Sequence, residues 1–245
     1  VWWALGAAGA VVAIGGGSAA ALLTGNPPAP PAKSFADGTP RDIVIAADKE
    51  MSVLNSARVT GDVATSKYGT MRVDMIATGD GDCSGSMTQQ DGGSAQIIAV
   101  GTDFYLKPNA KFLEGSDPGS ADALLHLVGD KWLLMNSLRG TFDDVCDLDK
   151  LLERDGRENA TDTNEGIVQV NGEDAVKVRE EDNSSTAWDI VYVRVAEPHY
   201  MVRTTDDKND TFTFSEFDQN SSITAPRKGE FIDLDKLLRR LHNGG

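Results

Sequence analysis

Apolar residues alternate with polar ones along several stretches of the chain. In residues 69–79, Met71, Val73, Met75 and Ala77 recur at every second position, the period of a half-buried strand. The same pattern predicts strands in ARVTGDVAT, SAQIIAVGTDFYLKP, KWLLM, GIVQVNGEDAVKVRE, AWDIVYVRVAE, HYMVRTTDD and DTFTFSEF. The links between them are short turns such as Asn171-Gly172, whereas parallel neighbours need long crossovers. We therefore expect an antiparallel meander.

Helical spacing replaces this alternation in the other segments. Between residues 41 and 56, Ile43, Ala47, Met51 and Leu54 form a stripe along one face of a predicted helix. Further helices are predicted in DPGSADALLHLVGD, TFDDVCDLDKLLERDG and the terminal DLDKLLRRLHNGG. Runs of strands interrupted and followed by helices are typical of the α+β class.

The N-terminal segment has a different composition. No charged residue precedes Lys33, and residues 1–25 are apolar and long enough for a hydrocarbon layer that about 20 helical residues can cross. We interpret them as a transmembrane helix, with a signal sequence as the alternative. The proline-rich residues 26–41 are predicted to be an extended linker. Residues 42–243 then form a domain on the extracytoplasmic side of the cell membrane.

The net charge of the chain bears on whether it can bind nucleic acid. The formal net charge is −15 and the isoelectric point is near 4.5. Such a chain is repelled by a phosphate backbone, and no basic stripe with interleaved aromatic residues occurs. The sequence therefore predicts no nucleic-acid partner.

The two cysteines of the chain are Cys83 and Cys146. In a domain outside the cytoplasm, an even number of cysteines predicts a disulfide; two buried free thiols are the alternative. The bond would join a predicted strand to a predicted helix and would close a loop of more than sixty residues.

The stretch GDGDCSGSMTQQD, residues 79–91, resembles two functional motifs. Its acidic residues from Asp80 to Asp91 have the spacing of an EF-hand calcium loop, but an EF-hand needs a helix on each side. Gly81-x-Cys83-x-Gly85 resembles a nucleophile elbow, which needs a strand that turns into a helix. Both flanks alternate like strands, so we predict neither a calcium site nor a nucleophile here.

A cysteine nucleophile would also need a base. The histidines of the chain are His126 on a predicted helix, His199 between predicted strands and His242 near the C-terminus. Each is better explained as a surface or packing histidine than as a catalytic base. We predict no enzymatic activity, no catalytic residue, no metal and no cofactor.

The order and spacing of several short motifs resemble a known family. These motifs are DCSGSMTQ, AQIIAVGTDFYLKPNAKFL, GDKWLLM, FDDVCDLDKLL and FTFSEFDQNSSITAPRKGEFIDL. They resemble the extracytoplasmic domains of actinobacterial lipoproteins of the LppX, LprG, LprA and LprF type, especially the streptomycete relatives. The resemblance covers most of residues 42–243. Unlike the family, the apolar N-terminal segment has no lipobox cysteine for acylation.

The resemblance implies a strongly curved antiparallel half-barrel, similar to LolA and LolB, with helices on its concave face. It also implies that the acyl chains of a lipid or lipoglycan lie between the two layers. The residues expected to contact such a ligand are apolar positions of the alternating face, namely Val59, Val63, Met71, Val73, Met75, Val191, Val193, Phe212 and Phe214. Alternation of this kind occurs in every half-buried sheet, so simple core packing remains the alternative.

We therefore expect a membrane-anchored protein that binds or carries a hydrophobic ligand. An alternative is a sensor or scaffold ectodomain of a transmembrane protein whose cytoplasmic part is not in this chain. A second alternative is a calcium-dependent adhesion module built on the Asp80 loop.

Overall fold

The computed structural model describes residues 34–65, 69–116, 119, 121–140, 146–152, 160–219 and 222–243. Residues 1–25, where we predict a span, lie outside this part, and so does the first half of the predicted linker. None of the helices among the described residues combines the length and apolarity needed to cross a bilayer. The described structure starts at Ser34, and the Phe35 ring stacks on His199 with a centroid separation of 3.6 Å. The chain thus contacts the sheet region before residue 42, the predicted domain boundary.

A twelve-stranded, curved and open sheet forms the framework of the protein. Its strands are β1 (Ser56–Thr65), β2 (Gly69–Thr78), β3 (Cys83–Gln89), β4 (Ser94–Val100), β5 (Asp103–Pro108), β6 (Trp132–Leu134), β7 (Ala160–Val170), β8 (Glu173–Asp182), β9 (Trp188–Arg194), β10 (Met201–Asp206), β11 (Thr211–Ser215) and β12 (Phe231–Asp233). The strands predicted from alternation are present. In β2 the burial of Val73, Met75 and Ala77 alternates with half-buried positions, as expected.

The strand order differs in two places from a single meander. The order is β12-β6-β5-β4-β3-β2-β1-β11-β10-β9-β8-β7, so two meanders meet where β1 pairs with β11. The three-residue β12 pairs with β6 in parallel. A parallel pair needs a long connection, and the chain between β6 and β12, residues 135–230, includes β7 to β11.

Helix α1 (Pro40–Met51) covers one end of the inner face of the sheet, near β7 to β10. Thr39 caps it by accepting a hydrogen bond from the Asp42 N–H at 3.2 Å, and Pro40 occupies the first turn, where its missing N–H is tolerated. The stripe of Ile43, Ala47 and Met51 is buried against the sheet. The prediction of this helix is confirmed, although it ends before Leu54.

Further described helices lie over the other end of the sheet. They are α2 (Ala110–Ser116), α3 (Ala121–Val128), α4 (Leu148–Leu152) and α5 (Leu234–Asn243). Helix α2 contacts β4, α4 contacts β2, and α5 contacts β6. The predictions of α3, α4 and α5 are confirmed within the described residues, whereas α2 was not predicted. The α+β class is confirmed.

Ion pairs lie on the outer face of the sheet. Arg58 of β1 donates two hydrogen bonds of 2.8 Å to the Asp74 carboxylate and one of 2.8 Å to Glu216. At the other end of the sheet, Glu165 of β7 accepts from Lys177 at 2.6 Å and from Arg179 at 3.0 Å. These two hydrogen bonds lower the pKa of Glu165.

We expect Glu165→Gln to lower the free energy of unfolding by about 1 kcal/mol at pH 7, because two cations lose their carboxylate partner. The folded-state pKa of Glu165 lies below its unfolded value of about 4.3, so this stabilisation is present above that pH. It is lost as the pH falls through the folded-state pKa. Urea titrations from pH 7 to pH 3 should show the two stabilities converge in acid.

The matched control is Glu181→Gln. Glu181 lies on the neighbouring strand, is 59% exposed and approaches Arg179 only to 4.0 Å. We expect no measurable change of stability at pH 7 for this variant. A constant difference between Glu165→Gln and the parent at every pH would contradict the assigned ion pairs.

Candidate hydrophobic ligand site

The inner face of the sheet is apolar around the point where the two meanders meet. Val59 of β1 lies directly opposite Met75 of β2 on one side and Phe214 of β11 on the other. One row further along, Gly61 lies between Val73 and Phe212 in the same way. A third row pairs Val63 with Met71. The register thus brings most of the predicted ligand-contacting residues together.

Those residues fall into a buried group and a half-buried group. The buried group belongs to the main core, beneath α1 or between strands, and comprises Val59, Val73, Met75, Val191, Val193 and Phe214. The half-buried group comprises Val63, Met71 and Phe212. Of these nine residues, the three of the half-buried group keep more of their apolar surface exposed than the other six. Contact of either group with a ligand stays a prediction.

Gly61 makes room for the Phe212 ring on this face. A Cβ atom at position 61 would lie 2.6 Å from Cδ1 of Phe212, closer than packed carbon atoms approach. The ring therefore covers the bare backbone of the neighbouring strand, a device that stabilises a glycine within a sheet. We name the surface formed by Val63, Met71 and Phe212 the inner apolar row.

Side chains of two helices pack against the same core. Phe112 of α2 and Leu151 and Leu152 of α4 are half-buried and pack against the main core. They were not predicted as ligand contacts. In the FLEG segment of α2, the apolar stripe is too short for a period to be recognised. The helix that carries Leu151 and Leu152 was predicted, but without a role in ligand binding.

Acidic side chains mark the limit of the apolar surface near β7 and β8. Asp162 lies directly opposite Glu180, and both carboxylates are almost fully buried. Arg41 of α1 approaches Asp162 with an N–O distance of 3.7 Å. A hydrocarbon chain gains nothing from contact with buried carboxylates, so this end of the inner face is unsuitable for it.

A cleft of about 430 Å³ opens where the main core reaches the end of the sheet. Tyr200 and Phe217 pack together with a centroid separation of 4.2 Å and contact the main core. Phe214 also lines the cleft, and Arg194, Glu173 and Glu216 form its polar rim. The volume lies within the range of small-molecule pockets. An apolar floor with a charged rim suits an amphipathic molecule.

The sequence pattern did not identify this cleft. Phe217 follows Phe214 by three positions and so breaks the alternation of β11. The flanking residues Glu216 and Asp218 adopt left-handed backbone angles, with φ of 50° and 52°. These two angles change the direction of the chain around Phe217, which packs against the core. Alternation cannot reveal such a turn.

Clefts on the outer face have a different chemistry. One of about 330 Å³ is lined by Thr60, Gly61, Asp62, Arg72, Val73, Asp74, Arg203, Thr211 and Thr213. Its hydroxyl, carboxylate and guanidinium groups would have to lose water to contact a hydrocarbon chain, which is unfavourable. This cleft is therefore unsuited to a hydrocarbon chain.

The predicted disulfide is confirmed. Cys83 at the start of β3 is bonded to Cys146, which lies two residues before α4, and both residues are fully buried. The neighbouring Asp147 forms an isolated bridge with Thr78 at the end of β2. The bond thus attaches the α4 region to the ends of two adjacent strands. Because Cys83 is disulfide-bonded, its sulfur is not available as a nucleophile.

The Asp80 to Asp91 stretch is not a calcium loop. Strand β3 occupies its middle, so Asp80 and Asp91 are separated by about 20 Å of extended chain. Asp82 instead accepts a hydrogen bond from the Gly101 N–H at 2.7 Å, and Asp91 accepts one from the Gly93 N–H at 3.0 Å. Within the described part of the chain, no group of three acidic, histidine or cysteine residues is arranged to hold a metal ion.

The histidines lie on separate elements. His126 is exposed on α3, and His199 stacks on Phe35 with its Nδ1 3.2 Å from the carbonyl oxygen of Arg194. The side chain of His242 lies outside the described residues.

Comparison with solved structures identifies the fold. The chain is similar to LprF from Mycobacterium bovis, with a TM-score of 0.56 and 14% identity over 76% of this chain and 96% of that one. It is also similar to the lipoprotein LppX of Mycobacterium tuberculosis, with a TM-score of 0.51 and 12% identity over 76% and 98% of the two chains. No protein-family model and no curated protein sequence matches the chain. The protein thus has a fold of the LppX and LprF type.

Proposed function

We propose that this protein binds a hydrophobic ligand, the acyl chains of a lipid or lipoglycan, between its sheet and its helices. The observation that carries the proposal is the inner apolar row, which leaves half-buried Val63, Met71 and Phe212 on the face that the helices cover only in part. The fold shared with LppX and LprF supports it. So does the contrast with the polar cleft of about 330 Å³ on the outer face.

Binding would rest on burial of hydrocarbon. Each Å² of apolar surface removed from water contributes about 25 cal/mol before the costs of association are subtracted. The unbranched Met71 adapts to irregular guests, so the site would accept acyl chains of varied shape. The polar rim of the cleft near Tyr200 and Phe217 is suited to a headgroup, since Arg194 and Glu216 border its apolar floor.

A membrane anchor at residues 1–25 belongs to the same proposal. It would hold the domain at the extracytoplasmic surface of the cell membrane, beside the source of its ligand. The domain would act as a binding or carrier protein and not as an enzyme.

Photo-crosslinking of the full chain tests the ligand and its position. The probe is a phosphatidylglycerol with a diazirine in one acyl chain, and mass spectrometry locates the adducts. We expect adducts on the inner apolar row or on residues that line the cleft near Tyr200. Adducts only within residues 1–25 would contradict the proposal, because that segment contacts any lipid.

Two substitutions on the same strand sharpen this test. Met71→Glu places a carboxylate on the inner apolar row, and Ile76→Glu places one on the outer face, opposite Arg58. Both parent residues are half-buried, so the variants are matched in burial. We expect Met71→Glu to reduce crosslinking about tenfold or more, since the loss of one apolar contact of roughly 1.5 kcal/mol has that effect. Ile76→Glu should crosslink like the parent.

A further inference from the structure

One of the arginines on the strands of the sheet differs from the others in its surroundings. Arg58, Arg72, Arg179 and Arg194 each approach a carboxylate, at N–O distances between 2.8 and 3.8 Å. Arg203 of β10 is half-buried, yet it forms no ion pair with any residue in the described part of the chain. Because partial burial of an unpaired cation is unfavourable, Arg203 is a candidate for binding an anion from solution.

The orientation of the Arg203 guanidinium group is fixed by the residues opposite it on the two neighbouring strands. Its Nε donates a hydrogen bond to Oγ1 of Thr213 on β11, at 3.3 Å. Its central carbon lies over the ring of Tyr192 on β9, 5.7 Å from the centroid. The two terminal amino groups make no hydrogen bond within the described residues. They form the planar fork that binds a carboxylate through two parallel hydrogen bonds.

Arg203 lines the outer-face cleft of about 330 Å³ together with hydroxyl groups. Thr60 of β1 lies directly opposite Thr213, so Arg203, Thr213 and Thr60 form a row across three adjacent strands. Thr211 lines the same cleft. Among the described lining residues, only Val73 has an apolar side chain. Because hydroxyl groups both donate and accept hydrogen bonds, this lining suits a ligand that does the same.

The carboxylates of this cleft are already neutralised by other arginines. Asp62 accepts hydrogen bonds of 2.9 and 3.1 Å from Arg72, and Asp74 accepts two of 2.8 Å from Arg58. The positive charge of Arg203 therefore remains for a ligand. The chain as a whole has a net charge of −15 and repels a polyanion. A ligand with one carboxylate and otherwise uncharged polar groups is thus favoured.

The polar lining continues beyond the Asp62–Arg72 ion pair. This pair also borders a second cleft of about 340 Å³, where Thr70, Thr88 and Gln90 supply further hydroxyl and amide groups. Each cleft has a volume at the lower end of the range for small-molecule pockets. Two linked polar units can therefore occupy neighbouring positions on this face. Linked sugar units match such a lining, since their hydroxyl groups both donate and accept hydrogen bonds.

We propose that the outer face binds a saccharide with a single carboxylate, which Arg203 holds while the sugar hydroxyls bond to Thr60 and Thr211. A phosphate dianion would be repelled by Asp62 and Asp74, which line the same cleft. A peptide would find almost no apolar surface there to bury. The proposal concerns the face of the sheet opposite the hydrophobic ligand and is independent of that ligand.

Calorimetric titration of the full chain in nanodiscs tests the proposal with two disaccharides. Cellobiouronic acid and cellobiose differ only in a carboxylate that replaces one hydroxymethyl group. We expect the acid to bind at least about tenfold more tightly, since a hydrogen bond to a charged group has that effect. Acetate and inorganic phosphate, which offer charge without sugar hydroxyls, should bind more weakly than the acid. Equal affinities in either comparison, or no detectable binding of the acid, would overturn the proposal.

Variants of Arg203 identify the group responsible. Arg203→Gln should bind cellobiouronic acid no more tightly than cellobiose. Arg203→Lys should give an intermediate affinity, because lysine keeps the charge but not the planar fork. The matched control is Arg227→Gln, which removes the same charge from an exposed residue outside both clefts and should bind like the parent. Equal losses in Arg203→Gln and Arg227→Gln would contradict the assigned site.

Thermal unfolding of each variant verifies that it is folded, and the comparison of the two disaccharides on the parent requires no variant. Failure of this site is distinguishable from failure of the hydrophobic ligand site. Arg203→Gln should still crosslink the diazirine lipid on the inner apolar row. Met71→Glu should still bind cellobiouronic acid with the affinity of the parent.

Discussion

Replacing Cys83 and Cys146 together by alanine is expected to lower the free energy of unfolding by about 4 kcal/mol. The two residues are 63 positions apart, and a bond that closes a loop of this length removes much of the conformational entropy of the unfolded chain. Guanidinium titrations of the parent and the double variant under oxidising conditions would measure the difference.

Reduction of the parent provides an independent control. With a strong reductant present, the parent should unfold at the denaturant concentration of the double variant, whose own midpoint should not respond to the reductant. A difference below about 1 kcal/mol would show that the unfolded chain is already constrained in this region, against the chain-entropy account. The α4 region should become the first part to exchange its amide hydrogens in the variant, because the bond attaches it to β3.

Gly85→Ala is expected to cost at least about 3 kcal/mol, the upper part of the range for overpacking. Gly85 of β3 lies opposite Met75, and a Cβ atom there would overlap the carbonyl oxygen of Asp74 and the Cα of Met75. Both atoms belong to the backbone of β2, so no side-chain rotation relieves the overlap. The substitution must separate two central strands of the sheet.

Gly140→Ala is the matched control, because nothing lies within 4 Å of an added Cβ and the backbone there is not left-handed. Thermal unfolding followed by circular dichroism would compare the two variants. If Gly85→Ala unfolds at the temperature of Gly140→Ala, the close approach of β2 and β3 is wrong. If Gly85→Ala does not accumulate as folded protein, we expect Gly85→Ser to fail to fold as well. Gly140→Ala should still be recovered as folded protein.

Local patterns in the sequence predicted most of the strands and the helices that carry an apolar stripe. The alternation in residues 69–79 identified both the strand and its buried face, since Val73, Met75 and Ala77 are buried. The disulfide followed from the cysteine count together with the expected compartment. These features depend on residues close in sequence or on composition, which is why sequence alone could predict them.

Features that depend on distant parts of the chain were not predictable in this way. Strand β1 pairs with β11, which lies far along the chain, and no local pattern specifies that partner. Strand β12 has three residues, too few to show a period. The cleft around Tyr200 and Phe217 depends on left-handed angles at Glu216 and Asp218. The three residues of the inner apolar row were predicted as part of a larger set of nine ligand-contacting residues. Alternation in the sequence does not show which of the nine are fully buried and which are half-buried.

The pairing of β1 with β11 has a consequence for synthesis on the ribosome. Strand β1 ends at Thr65, and its partner β11 begins only at Thr211, so the middle of the sheet stays open until most of the chain has emerged. Sheets that depend on such remote pairs fold slowly and expose unpaired edges in the meantime. The nascent chain therefore has a prolonged interval in which the unpaired edge of β1 is available to chaperones.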